Sequence, residues 1–282
     1  MIERATRFGT LVFDRNGIVR AALRAYVEGV LAGLARFSFP ASAVPRWTGD
    51  LQRGAFYNGD GSGNEDVVAW TEAGVIGLAF ELGWGPIEQL GLSVDAVTGG
   101  PDDVRGALPG LPDDLEPALV MAAAMLGNGP EHGEKMAGVG FWLYGDRVAG
   151  TLFDDPTAPG ASGLAAWGML RGGRLLPLIS RSAHPHERAV VAKYARKDAP
   201  VHAVMDAVVD RALRGPTELT TAELETLLHP GPDPERLLGA QRALQDVGIT
   251  WPGSPELPPP PPRRRINPFT GKPLVEATRP AK

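Results

Sequence analysis

The sequence predicts an α+β protein: an antiparallel sheet with flanking helices over residues 1–180, a mainly helical part over 181–253, and a flexible Pro/Arg-rich tail over 254–282. Three observations carry this. Short apolar runs joined by glycine turns fill the front half, apolar residues at helical spacing fill the back half, and a proline run closes the chain. A run such as Pro258–Pro262 adopts polyproline II or stays disordered and cannot join a packed core, which sets the boundary of a single domain near Gly253.

Thr10–Phe13 reads as a strand, followed by a tight turn at Asp14–Gly17, because Asn16-Gly17 tolerates positive φ. Ile18–Phe37 reads as a helix, with Val19, Leu23, Val27, Val30, Leu31 and Leu34 on one side and Arg20, Arg24 and Glu28 on the other, stopped by Pro40. Residues 45–63 read as loop. Asp66–Trp70 and Val75–Phe80 flank Thr71–Gly74 as a β-hairpin, and Leu115–Leu126 as a helix capped by Asp113 or Asp114. A second hairpin joins 138–144 to 147–153 through Gly145-Asp146, and a third joins 164–170 to 174–179 through Gly172-Gly173. Helices follow at 186–194, 200–213, 220–228 and 234–246, the third opened by the capping-box pattern Thr220-Thr-Ala-Glu223. No internal repeat is visible.

Composition narrows the function classes. Hydrophobic residues at 43% and charged residues at 22% are globular values, and 282 residues suffice for a buried core. A net charge of -5 argues against a nucleic-acid partner, which needs a basic face, and suits a basic protein partner. The absence of cysteine removes disulfides, thiolate metal sites and Cys nucleophiles. No signal-peptide pattern opens the chain and no apolar run approaches the roughly 20 residues of a membrane span, so the expected address is the cytoplasm.

The run Val67-Val-Ala-Trp-Thr-Glu-Ala-Gly-Val-Ile-Gly-Leu-Ala-Phe80, with Leu111–Leu115, Phe141-Trp142, Leu219–Thr221, Leu228-His229-Pro230 and Val247–Pro252, resembles in order and pattern a widespread, functionally uncharacterised family of bacterial proteins. The likeness spans roughly Phe56 to Pro252. It implies an architecture and brings no activity with it. Where the family tends to carry His-Glu, this chain has Leu82-Gly83, so chemistry resting on that pair would be lost here.

No motif implies a cofactor. Asn58, Asp60, Ser62 and Asp66 take the first, third, fifth and ninth places of a calcium loop, but Ala69 stands where a bidentate Glu is needed and a strand follows where a helix should. Asp14-Arg-Asn16 resembles the first motif of haloacid-dehalogenase-type phosphatases with Asn16 in place of the general acid, and an amide gives no proton at neutral pH. The densest titratable cluster is His184, His186 and Glu187. With Asp154 and Asp155 it would make a carboxylate/histidine site, metal-binding or catalytic, if the fold brought these residues together. His202 and Asp206, four apart on one helix face, could add an imidazole and a carboxylate. The bland alternatives are a helix N-terminus and a solvated helix face.

Two features suit binding. Trp84 lies in the loop Gly83-Trp-Gly85-Pro86, and exposed tryptophan is typical of binding hot spots. Arg263, Arg264, Arg265, Asn267 and Phe269 join a cationic run and an aromatic turn to the polyproline segment, as linear binding motifs do, against the alternative of an inert tail. The leading expectation is a non-enzymatic protein-binding module of bacterial type, such as an immunity or accessory protein of a toxin or defence system. The alternatives are the carboxylate/histidine enzyme and an assembly component that docks through its tail.

Overall fold

The computed structural model describes residues 1–6, 9–36, 45–59, 64–81, 102–126, 139–154 and 196–254. In chain order these form β1 (Ile2–Thr6), β2 (Gly9–Phe13), α1 (Arg15–Val30), β3 (Arg46–Gly49), β4 (Gly54–Gly59), β5 (Asn64–Trp70), β6 (Gly74–Glu81) and α2 (Asp102–Arg105). A 3-10 turn (Asp113–Leu115), α3 (Glu116–Leu126), β7 (Val139–Tyr144), β8 (Arg147–Ala149) and α4 (Thr151–Asp154) follow. The last elements are α5 (Ala199–Ala212), β9 (Thr217–Glu218), α6 (Thr221–Leu227), α7 (Pro234–Gln245) and β10 (Ile249–Thr250). The α+β class therefore holds. The third hairpin, the helix at 186–194 and the tail fall outside the described residues.

The sheet is a six-stranded antiparallel meander in the order β3-β4-β5-β6-β7-β8. Side chains alternate along its strands, yet both sets are apolar because both faces are covered. Phe56, Val68, Trp70, Val75, Phe141 and Leu143 pack with Ile18, Val19, Ala22, Ala25 and Tyr26 of α1. Tyr57, Val67, Ala69, Ile76, Leu78 and Trp142 pack with Leu115, Leu119, Ala122 and Leu126 around α3. Gly77 sits opposite Phe141 in the β6–β7 register, and a Cβ there would enter the Phe141 ring. The missing side chain gives that ring its place against Phe13, centroids 5.3 Å apart.

Helix α1 is the hinge of the architecture. Its second apolar stripe, Leu23 and Val27, continues into Leu31 and Leu34 and packs with Val201, Met205, Val208 and Val209 of α5, with Leu244 of α7, and with Ile249 and Trp251. The layers thus run α3, sheet, α1, then α5 to α7. A helix covered on both sides is buried nearly all round: Ile18, Val19 and every residue from Ala21 to Gly29 are buried.

Several expectations need correction. Asp14–Gly17 is no tight turn: Asp14 is the N-cap of α1, its carboxylate accepting from the Gly17 N–H at 2.8 Å. An Asp just ahead of a helix reads equally well as turn or cap, and here the hydrophobic run behind it decides. Helix α1 ends at Val30 rather than Phe37. The expected loop at 45–63 contains strands β3 and β4. Glycines at both ends hid β4: an added Cβ at Gly54 would meet the backbone oxygens of Thr48 and Asp50 at 2.6 and 2.7 Å, so Gly54 serves close strand approach, and one at Gly59 would meet the Tyr57 ring. The 3-10 turn ahead of α3 has Pro112 at its cap and no side-chain cap bond, and Asp114 accepts from the Tyr144 hydroxyl instead. Strand β8 stops at Ala149, where Gly150 takes φ 134° and the chain turns into α4.

The helical half follows expectation closely. The Thr220 hydroxyl accepts from the Glu223 N–H at 3.2 Å while the Glu223 carboxylate accepts from the Thr220 N–H at 2.9 Å, the reciprocal capping box read from sequence. That carboxylate also takes two bonds from Arg211, at 2.8 and 2.9 Å, which ties α6 to the end of α5. Asp233 caps α7 through the Arg236 N–H.

Candidate functional site

The densest set of ionised groups among the described residues lies where α1 crosses α5. Arg20, Arg24 and Glu28 on α1 and His202, Asp206 and Asp210 on α5 each recur every four residues, so each set forms one ridge along its helix. The two ridges face each other. Sequence reasoning placed Arg20, Arg24 and Glu28 together on the side of α1 away from its apolar stripe; the structure buries Arg24 and Glu28, whose side chains are 5% and 0% exposed. The helix was amphipathic in pattern, but its polar stripe meets another polar stripe instead of water.

Arg24 is the node. Its Nη1 donates to Glu28 Oε2 at 2.6 Å, its Nε to Asp206 Oδ1 at 3.1 Å, and its Nη2 points to His202 Nδ1 at 2.9 Å. Nη1 also rests against the Met205 sulfur. Arg20, nearer the surface, donates through Nε to Asp210 Oδ1 at 2.7 Å and approaches Asp206 Oδ1 at 3.5 Å. These bonds, led by that to Asp210, hold the Arg20 guanidinium more firmly charged than usual.

A guanidinium only donates, so the short Arg24 contact makes His202 Nδ1 an acceptor and puts the imidazole proton on Nε2. The electrostatics agree. Burial first, then the Arg24 charge, push the His202 pKa below its ordinary value, against the opposing pull of Asp198 and Asp206. The cluster joins two guanidinium groups, three carboxyl groups and an imidazole.

Chemically, this arrangement holds things in place. Arg24 directs Nε, Nη1 and Nη2 at groups of the protein itself, leaving no open fork for a carboxylate or phosphate ligand. The half-exposed part is the acidic rim: Asp206 and Asp210 side chains are each 47% exposed, and among the described residues their bonds run through Oδ1. The sequence signal that could have found this site is the matched four-residue spacing of the two ridges. His202 and Asp206 were singled out as ligands, and both are instead turned onto Arg24.

The remaining sequence candidates are placed as follows. Trp84, Asp155, His184, His186, Glu187, Arg263, Arg264, Arg265, Asn267 and Phe269 lie outside the described residues, and Asp154 is the last residue of α4. Among the described residues no group of three or more His, Asp and Glu side chains is placed to hold a metal ion. Asn58 and Asp66, the outer members of the calcium-like run, stand in register on neighbouring strands β4 and β5, both fully buried, rather than in a loop ahead of a helix. A shallow groove of about 340 Å³ lies beside β8, lined by Ile2, Trp142, Asp146, Arg147, Val148 and Ala149. Among the described residues no helix is long and apolar enough to cross a membrane.

No family of known proteins, no curated protein and no solved structure matches the chain.

Proposed function

We propose that this is a non-enzymatic protein-binding module of bacterial type, an immunity or accessory protein of a toxin or defence system, whose partner is basic. The reading rests on the acidic rim of α5. Asp206 and Asp210 lie one turn apart, half exposed, with one oxygen of each fixed by an arginine of α1. Carboxylates already oriented by the fold lose little side-chain freedom on meeting a cation. The chain's net charge of -5 adds long-range attraction of the same sign. The inward half of the same cluster is closed on itself, which suits a scaffold better than a site that must admit a substrate.

The test is a pulldown from native lysate with three baits: the full chain, a chain ending at Gly253, and the full chain carrying Asp206→Asn with Asp210→Asn. The expected result is a stoichiometric basic partner on the first two, weakened on the third and released as salt is raised. A partner lost on truncation moves the function to the tail. A partner that ignores both carboxylates, or none at all, overturns the proposal.

A further inference from the structure

The Arg24–His202 contact between α1 and α5 suits one protonation state of the imidazole. Arg24 keeps its charge at every pH of interest. Its Nη2 meets His202 Nδ1 at 2.9 Å, a distance that suits a donor against an acceptor and sets two donors against each other once Nδ1 is protonated. We propose that Arg24 and His202 form an acid-weakened latch, in which protonation of His202 raises the frequency with which α5 opens from α1.

The groups around the imidazole decide which way it works. From α1, Arg24 opposes the imidazolium; Arg20 lies one turn earlier and Glu28 one turn later, the latter holding Arg24 at 2.6 Å. From α5 itself, Asp198 and Asp206 favour the imidazolium. Burial opposes it and leads, so the proton is taken up below the ordinary imidazole value. Asp206 offers an escape that also works against the contact, because its Oδ1 already receives Arg24 Nε at 3.1 Å and Arg20 Nη2 at 3.5 Å. An imidazolium turning to Asp206 shares that carboxylate with both arginines.

The linkage has a definite sign. A histidine whose folded value is depressed adds stability that is present in full above the ordinary value and is lost as pH falls through the depressed one. What opens is defined by packing: α5 carries Val201, Met205, Val208 and Val209 into the layer shared with Leu227, Leu244 and Trp251. Helix α3, on the far side of the sheet, belongs to a different cluster and serves as the internal reference.

This inference is independent of the proposed binding role, and its test involves no partner. Backbone hydrogen-exchange protection is measured on the full chain at about pH 8 and about pH 5, the limits between which histidine changes charge, for the wild type and for His202→Gln. Glutamine keeps an acceptor for Arg24 and has no proton to gain. Protection of the α5 amides in the wild type is expected to fall in acid by up to about tenfold for each unit by which the imidazole is depressed. Protection in α3 stays level, and α5 in His202→Gln does not respond. The imidazole of His202, followed by NMR in the wild type, is expected to titrate below the ordinary value. Equal α5 protection at the two pH values, an equal fall in the variant, or an imidazole that titrates at or above the ordinary value would each overturn the latch.

Discussion

Neutralising Glu28 is the sharpest test of the α1–α5 junction. Its carboxylate is 0% exposed and accepts from Arg24 at 2.6 Å, and the Arg24 side chain is 5% exposed. Removing one partner of such a pair leaves a desolvated charge behind, which costs about 3–5 kcal/mol. Glu28→Leu belongs at the lower end, because Asp206 still faces the guanidinium at 3.1 Å and is partly solvated. Arg24→Met belongs at the upper end, because the fully buried Glu28 carboxylate then loses the Arg24 cation at 2.6 Å. Replacing both, as Arg24→Met with Glu28→Leu, removes the two charges together, a change that is often neutral or stabilising by about 1–4 kcal/mol. Here it also deprives His202 Nδ1 of its donor, a loss of about 1–3 kcal/mol, so the double variant is expected within roughly 2 kcal/mol of the wild type. Urea unfolding at neutral pH, followed by the fluorescence of the buried Trp70 and Trp142, measures all four corners of the cycle. Single variants that cost less than about 1 kcal/mol, the range of exposed pairs, would refute the burial reasoning. So would a double variant whose loss equals the sum of the two singles.

Gly77→Ala places a methyl inside the Phe141 ring and is expected to lower stability by about 1–3 kcal/mol in the same urea assay, through overpacking; an unchanged midpoint would mean the β6–β7 packing is looser than described. Tyr26 donates its hydroxyl to the Ala243 carbonyl, and burial, with a smaller push from Asp246, raises its pKa to about 12. Its stabilising share is complete below the ordinary tyrosine value and is lost as pH rises through about 12, so ultraviolet titration should find a late phenol that Tyr26→Phe removes.

How much of this was legible follows from what each signal measures. Helices α5, α6 and α7 were readable because their starts are local chemistry: proline in the first turn, the Thr220–Glu223 box and the Asp233 cap all sit within a few residues of what they stabilise. The hairpin of β5 and β6 was readable for the same reason. Strands β3 and β4 were not, since Gly49, Gly54 and Gly59 are there for contacts with other backbone or with the Tyr57 ring, and glycine in isolation signals a turn. The fate of Arg24 and Glu28 was out of reach in principle. Nothing within α1 separates a polar stripe facing water from one facing His202, 178 residues further on.

The same separation sets a condition on synthesis. Helix α1 is made early, but Leu23, Val27 and Leu31 share their core cluster largely with later residues, from α5, α7 and Trp251 among others. At about 5–20 residues per second, the 178 residues between Arg24 and His202 take on the order of 10–40 seconds to emerge. For that interval the nascent chain carries an apolar stripe, flanked by a buried-pair arginine and glutamate, without its partners from the helical half. The stripe meets these partners only as residues 201–251 arrive, with Trp251 among the final contacts to close.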